Sequence, residues 1–227
     1  MVALFVALLF ITFLVIDYFI VRSKKVKHPA FERSLSLADS TLPLFDAKQL
    51  NLPKGVLLSE GHIWSKEVGN ETLQLGLDEF ILKALGKVKL NWSVGEGDSV
   101  QKGDVLFSAN ILGKELKFYS PIEGTVSSTN LKPVVNNSEE VYEKGWLVQI
   151  APENLLESKA SFFDSFNAKE WLQDEFSRFK EFLAVQTAQP QLAGVTMYDG
   201  GEIVQGVVSY LDENQIKKFE DEFLKVS

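Results

Sequence analysis

The sequence predicts a mainly β protein in three parts: an N-terminal membrane helix, a central β domain and a small α+β appendage at the C-terminus. Three observations lead to this prediction. The chain of 227 residues opens with a long apolar run. Its middle alternates short β-branched and apolar runs with Gly, Asn and Asp, which is typical of strands and tight turns. Its last third spaces apolar residues at helical intervals.

The N-terminal apolar run covers residues 2–21 and contains one charged residue, Asp17. About 20 apolar residues are enough for a helix to cross a bilayer. A cleaved signal peptide is the alternative, but it requires a basic start and a small-residue cleavage site, and neither is present. A basic cluster follows at residues 22–27, and such clusters stay on the cytoplasmic side. We therefore expect a single-pass anchor in the inner cell membrane over residues 1–22, with Met1 outside and the domain in the cytoplasm.

Composition excludes several classes of function. The net charge is -8, which argues against a nucleic-acid partner, because such partners require clustered Lys and Arg. The chain has no cysteine, which excludes disulfides and thiolate metal sites. Its only histidines are His28 and His62, and no loop shows metal-ligand spacing. We expect no metal site.

A linker is predicted over residues 23–54, because Pro, Ser and Asp are mixed there without a sustained period. The β domain is predicted over residues 55–152. It includes a helix that begins after Asp78 as its N-cap and stops at Gly86. Tight turns are expected at Gly95–Asp98 and Lys102–Asp104.

The appendage is predicted over residues 153–227 as helix, hairpin and helix. Asn167 and Glu170 have capping-box spacing at the start of the first helix, and Asp212 and Gln215 have it at the start of the last. A hairpin is expected to turn near Asp199–Gly201. We expect the phenylalanines of both helices to be buried, namely Phe176, Phe179, Phe219 and Phe223.

Five stretches of the β domain occur together in one order. They are "GHIW" at 61–64, "LGLDEFILKALGKV" at 75–88, "VGEGDSVQKGDVLF" at 94–107, "YSPIEGTVSSTN" at 119–130 and "EKGWL" at 143–147. In these stretches the chain resembles the H protein of the glycine cleavage system, a lipoyl-domain family. The resemblance implies a flattened β-barrel of the lipoyl and biotinyl type, also called a barrel-sandwich hybrid.

The same resemblance implies a lipoyl-lysine in a Glu-Ser-Val-Lys-Ala hairpin, eight residues before the proline of Ser-Pro. Counting back from Pro121 places the lysine position on Gly113 and the glutamate position on Asn110. Lys114 stands one residue late. A slip of one residue turns a strand side chain to the other face. We therefore expect no lipoyl cofactor, with lipoyl attachment at Lys114 through a β-bulge as the alternative.

Other candidate residues favour structural roles. His62 and Trp64 form a possible functional pair, but their match to a strand of the family favours packing. The acidic groups Asp174, Glu175 and Glu181, and the run at 220–222, are interpreted as solvated helix faces. No nucleophile–base set emerges from spacing, so we expect a protein that is not an enzyme.

The sequence predicts a non-catalytic, membrane-anchored docking or scaffold subunit of a membrane complex. It is expected to contact the bilayer through residues 2–21 and a protein partner through the domain. The alternative is a lipoyl-carrying shuttle for acyl or aminomethyl groups, modified at Lys114.

Overall fold

The computed structural model describes residues 44–50, 52–69, 71–133, 138–186 and 202–226, which belong to one compact unit. None of the helices in these ranges is both long and apolar enough to cross a membrane. The predicted anchor at residues 2–21 lies outside the described ranges, as does most of the predicted linker.

The described chain is mainly β. Its strands are β1 (Leu44–Phe45), β2 (Leu57–Leu58), β3 (Ile63–Val68), β4 (Thr72–Leu77), β5 (Lys89–Trp92), β6 (Ser99–Val100), β7 (Val105–Ile111), β8 (Lys114–Tyr119), β9 (Gly124–Thr129), β10 (Trp146–Ala151) and β11 (Ile203–Val204). Its α-helices are α1 (Glu79–Leu85), α2 (Leu155–Ala160), α3 (Asn167–Gln186) and α4 (Glu213–Phe219), and a π-turn (Glu220–Leu224) continues α4. Short 3-10 helices lie at Ala47–Gln49, Ser138–Tyr142 and Val207–Tyr210.

Two sheets form the body. The larger has the strand order β2-β3-β4-β10-β9-β6, and the smaller has the order β5-β7-β8. Strand β8 shows the burial alternation expected of a half-buried strand, with Leu116 and Phe118 inward and Glu115 and Lys117 exposed. The sheets contribute to one continuous hydrophobic core, which also takes in α1, α3 and α4.

Local sequence signals account for the predicted turns and for α1. The carboxylates of Asp98 and Asp104 accept hydrogen bonds from the backbone N–H groups of Gly95 and Gln101, both at 2.8 Å. Asp78 caps α1 by accepting from the N–H of Ile81, and Gly86 ends the helix with φ of 69°. Side-chain oxygens that satisfy free backbone donors fix such turns and caps. The predictions at these positions are confirmed.

The structure corrects three details of the sequence interpretation. Phe45, inside the predicted linker, is fully buried and packs edge-on against Phe176 at 5.7 Å, so the body begins before residue 54. Helix α3 is capped by Asp164 and not by the predicted Asn167. The carboxylate of Asp164 accepts hydrogen bonds from the N–H groups of Phe166 and Asn167. Much of the predicted hairpin lies outside the described residues, and β11 pairs with β1.

The last helix agrees with the sequence. Asp212 and Gln215 form a reciprocal capping box at the start of α4. The expected burial of the phenylalanines is confirmed, because the four are at most 4% exposed. We use the name tail for residues 202–226, which carry β11, α4 and the π-turn.

Candidate functional site

The β7–β8 hairpin presents the position at which the sequence resemblance implies a lipoyl-lysine. Ile111 pairs with Lys114, so the loop between the strands consists of Leu112 and Gly113 alone. Both residues have left-handed backbones, with φ of 50° and 88°. This is the combination that a two-residue hairpin of the mirror-image type requires. The Oδ1 atom of Asn110 accepts a hydrogen bond from the Gly113 N–H at 3.1 Å and stabilises the loop.

Lys114 begins β8, and its side chain is directed to the tail. Its Nζ atom donates hydrogen bonds to the main-chain carbonyls of Ser209, at 3.3 Å, and Leu211. The side chain is half-buried. The two carbonyl oxygens take the place of water molecules that would otherwise accept hydrogen bonds from the Lys114 ammonium group. Lys114 therefore joins the hairpin to the tail.

The residues at the tip do not fit a lipoyl group. Attachment requires a lysine amine that is free to form an amide. Gly113, at the family's lysine position, has no side chain. Lys114 carries an amine, but two tail carbonyls bind it. No β-bulge places Lys114 at the apex, because it pairs in register with Ile111.

A second contact joins the tail to β8 further along the strand. The carboxylate of Glu220 accepts from the Tyr119 hydroxyl at 2.6 Å through Oε1 and from the Lys117 N–H at 2.9 Å through Oε2. Burial, and after it the Glu220 carboxylate, raise the pKa of Tyr119, so the phenol stays protonated as a donor. Glu220 thus satisfies a backbone donor on the exposed edge of β8, where such groups otherwise invite pairing with another chain.

The tail is fixed to the body by apolar contacts. Phe179 of α3 packs against Phe80 of α1 at 5.4 Å, and against Phe219 and Phe223 of the tail, both at 5.6 Å. At Gly61, a Cβ atom would lie 2.8 Å from the Leu224 carbonyl oxygen, so only glycine permits this approach of the tail. The tail is an integral part of the compact unit.

His62 is fully buried and connects the body with α3. Its Nδ1 atom lies 2.8 Å from Asp78 Oδ2 and its Nε2 atom 3.5 Å from Glu175 Oε1. The ring stacks on Phe80 with a centroid distance of 4.7 Å. Burial alone would lower the pKa of His62, but the carboxylates of Asp78 and Glu175 raise it to about 9. His62 is therefore charged at neutral pH between two carboxylates.

Glu175 extends this network to the tail. Its Oε1 atom accepts from Arg178 at 2.8 Å, and the same guanidinium nitrogen donates to the Glu222 carbonyl at 2.6 Å. The Arg178 guanidinium also lies over the Phe223 ring at 4.6 Å. The ring contacts of Trp64 are with Tyr142 and not with His62, so the two residues do not form a pair.

The prediction that Glu175 and Glu220 lie on solvated helix faces is wrong. Glu175 is 2% exposed, and Glu220 is engaged with β8. Helical spacing contained a signal for Glu175, since it lies three residues after Leu172 and four before Phe179, beside the buried stripe. The sequence contains no comparable signal for the contacts of Glu220 or of Lys114, because each joins positions about 100 residues apart. The acceptors of Lys114 are also backbone carbonyls, which carry no sequence signal.

The comparisons with known proteins agree with the fold. The family model described as "Glycine cleavage H-protein" matches residues 56–175. The "Probable glycine cleavage system H protein" of Pyrococcus horikoshii is 23% identical over 133 residues, which cover 57% of this chain and 98% of that protein. The H protein of Nitratidesulfovibrio vulgaris is 28% identical over 130 residues, covering 53% and 98%.

The H protein of Listeria monocytogenes is 30% identical over 105 residues, which cover 44% of this chain and 82% of that protein. Among solved structures, a glycine cleavage system H protein from Mycobacterium marinum superposes with a TM-score of 0.39 at 16% identity, covering 50% of this chain and 93% of that one. The matched segment ends at residue 175, so the tail that contacts Lys114 lies outside it.

Proposed function

The chain belongs to the glycine cleavage H-protein family, and we propose that it is a non-catalytic docking member of this family that carries no lipoyl group. The observation that carries the proposal is the position of the Lys114 ammonium. It is the amine nearest the family's attachment position, and the carbonyls of Ser209 and Leu211 bind it. Gly113, at the attachment position itself, offers no amine.

The non-catalytic part of the proposal is supported by the chemistry of the described residues. A general acid or base must reach the atom that it protonates or deprotonates. His62, the histidine of the described ranges, is fully buried between carboxylates and has a packing role. By analogy at the level of the fold alone, a retained fold without an attachment lysine favours recognition by other proteins as its function.

The membrane part of the proposal rests on the sequence. Residues 2–21 are apolar apart from Asp17, and the basic cluster at residues 22–27 follows directly. A helix there anchors the protein in the inner cell membrane and orients the domain to the cytoplasm. A docking domain on an anchor meets partners that are themselves membrane-bound.

The second candidate function is that of a lipoyl carrier modified at Lys114. The comparisons favour it over membrane docking, since the matched relatives are glycine cleavage system H proteins. For this function Lys114 must leave both tail carbonyls before an acyl group is attached. Acylation then removes the charge that those carbonyls bind.

The experiment that separates the candidates is lipoylation by a purified lipoyl ligase. Three proteins are compared: the natural chain, the variant Asn110→Glu/Gly113→Lys, and the same variant with Lys114→Ala. We expect the ligase to modify both rebuilt proteins and not the natural chain. Modification of the natural chain at Lys114 would support the carrier function and contradict the docking function.

The membrane part has its own test. The full chain and a chain that lacks residues 1–22 are expressed in the same host, and membranes are separated by sedimentation. We expect the full chain in the membrane fraction and the shortened chain in the supernatant. Protease added to intact cells is expected to leave the domain uncut, and cleavage from outside would reverse the proposed orientation.

A further inference from the structure

An open cavity of about 500 Å³ lies beside the hairpin tip. Part of its lining comes from the family-matched segment, with Leu85, Gly86, Lys87 and Leu112, and part comes from the tail, with Gly206 and Tyr210. The two parts meet closely, because the Gly206 N–H donates to the Lys83 carbonyl at 2.8 Å. The cavity therefore exists only where the tail has been added to the family fold.

Leu112 combines two unfavourable properties at this cavity. It is 82% exposed, and its φ is 50°, a left-handed backbone that leucine rarely adopts. Asparagine or glycine is the usual residue at such a position in a two-residue hairpin. Strained backbones of this kind persist mainly where function requires them. Other apolar side chains of the chain are equally exposed, so it is the left-handed backbone at an exposed leucine beside a cavity that marks this position as a candidate contact.

Tyr210 presents a second apolar surface, since it is 39% exposed and lines the same cavity. Its hydroxyl has no hydrogen-bond partner among the described residues. Tyrosine is enriched at the centre of protein interfaces, because it offers a large apolar ring and one polar group. Leu112 and Tyr210 together give the cavity an apolar rim.

Among the residues that line the cavity, the charged one is Lys87. It is exposed, and within the described part of the chain it forms no ion pair. An exposed lysine beside an apolar rim is complementary to a partner that places a carboxylate next to an apolar side chain.

We propose that this cavity is the docking site for a segment of a partner protein in which an aromatic or aliphatic side chain is flanked by acidic residues. The inference rests on the proposed docking function and names the site where docking occurs. The apolar side chain enters between Leu112 and Tyr210, and a carboxylate pairs with Lys87. A small ligand is less well suited, because small-molecule sites enclose most of their ligand, whereas Leu112 projects into solvent.

The test uses three probes with the full-length chain in detergent micelles, and empty micelles are the blank. The first is a fluorescent peptide with one phenylalanine between two aspartates, and the second replaces the aspartates with lysines. The third is octanoate, a small apolar acid, added as a competitor. Binding is measured by fluorescence anisotropy at low and high salt.

Leu112→Asn is the central variant, because asparagine suits the left-handed position and folding is preserved. Its matched control is Leu156→Asn, since Leu156 is 81% exposed on α2 and does not line the cavity. Lys87→Glu is paired in the same way with Lys169→Glu on α3. We expect Leu112→Asn and Lys87→Glu each to weaken binding of the acidic peptide by about tenfold or more, with both controls unchanged.

Equal binding of the lysine peptide, equal losses in the control variants, or no binding of the acidic peptide would overturn the proposal. Displacement of the peptide by low concentrations of octanoate would overturn it in favour of a small-ligand site. The ligase test at Gly113 and Lys114 is independent of these results. A failure of peptide binding therefore rejects this site, whereas lipoylation of the natural chain rejects the docking function as a whole.

Discussion

The β7–β8 hairpin and the tail meet on one surface, but different kinds of interaction fix their positions. The hairpin depends on neighbours in the chain, through its register, its Leu112–Gly113 loop and the stacking of Phe107 on Phe118 at 5.2 Å. The tail depends on distant residues, through aromatic contacts with Phe179 and polar contacts with Lys114 and Tyr119. The hairpin is thus encoded locally, whereas the position of the tail comes from long-range contacts.

The largest loss of stability is expected from a substitution at Phe179, which is fully buried between α1 and the tail. Replacing a buried phenylalanine by alanine leaves a cavity and costs about 3 to 5 kcal/mol. We expect Phe179→Ala to lower the free energy of unfolding by this amount in urea titration. Val185→Ala on the same helix, where Val185 is 72% exposed, serves as the control and is expected to have little effect. Equal stability of the two variants would show that the tail does not depend on the aromatic contacts.

The His62 network gives the next largest effect, as a dependence of stability on pH. The pKa of His62 is about 9 in the folded chain, above its ordinary value of 6.5. The stability that protonated His62 contributes to the folded chain is therefore complete below pH 6.5 and is lost as pH rises to 9. The difference between the two pKa values corresponds to about 3 kcal/mol in the free energy of unfolding.

The measurement is the free energy of unfolding between pH 6 and pH 9.5 for the natural chain and for His62→Asn. Asparagine tolerates the left-handed φ of 60° at this position and does not titrate. We expect a loss of stability with rising pH in the natural chain that is absent from the variant. Parallel pH profiles would contradict a charged His62 in the core.

A smaller effect is expected at Glu220, which joins the tail to β8. Glu220→Gln removes the charge from the hydrogen bonds with Tyr119 and the Lys117 N–H, and costs about 1 to 2 kcal/mol. Glu222→Gln, with an exposed side chain two residues away, is the control. Urea titration of both variants checks the prediction. If they are equally stable, the contact of Glu220 with β8 contributes little to the position of the tail.

The smallest effect is expected at the hairpin tip and has the opposite sign. Leu112→Asn places a residue that tolerates left-handed φ beside Gly113 and removes an exposed apolar side chain. We expect the free energy of unfolding to rise by about 0.5 to 1 kcal/mol. Thermal melting compares this variant with Leu156→Asn. A loss of stability would show that Leu112 serves the fold, and its exposure would then need no partner.

The parts of the fold that were predicted from the sequence are those with local causes. Asp98 and Asp104 fix turns within a few residues, and Asp78 and Gly86 bound α1 in the same way. The offset between Gly113, the lysine position that the resemblance implies, and Lys114 depends only on counting from Pro121, and it stays a prediction. Such signals need no knowledge of which distant residues meet.

The remaining features depend on contacts across the chain. The pairing of β1 with β11 joins residues about 160 positions apart, and two-residue strands have no period to detect. Glu175 was assigned to a solvated face because charged residues are normally exposed, and only the presence of His62 and Arg178 explains its burial. The binding of Lys114 by tail carbonyls involves backbone atoms, which every sequence supplies equally.

The central claim is that this member of the H-protein family carries no lipoyl group, because its tip has glycine and the tail binds the adjacent lysine. The most direct measurement is the intact mass of the natural protein purified from its own host, followed by peptide mapping across residues 105–119. We expect the mass of the unmodified polypeptide and an unmodified Lys114. A mass increased by one lipoyl group, located on Lys114 and lost in Lys114→Ala, would contradict the account and establish the carrier function.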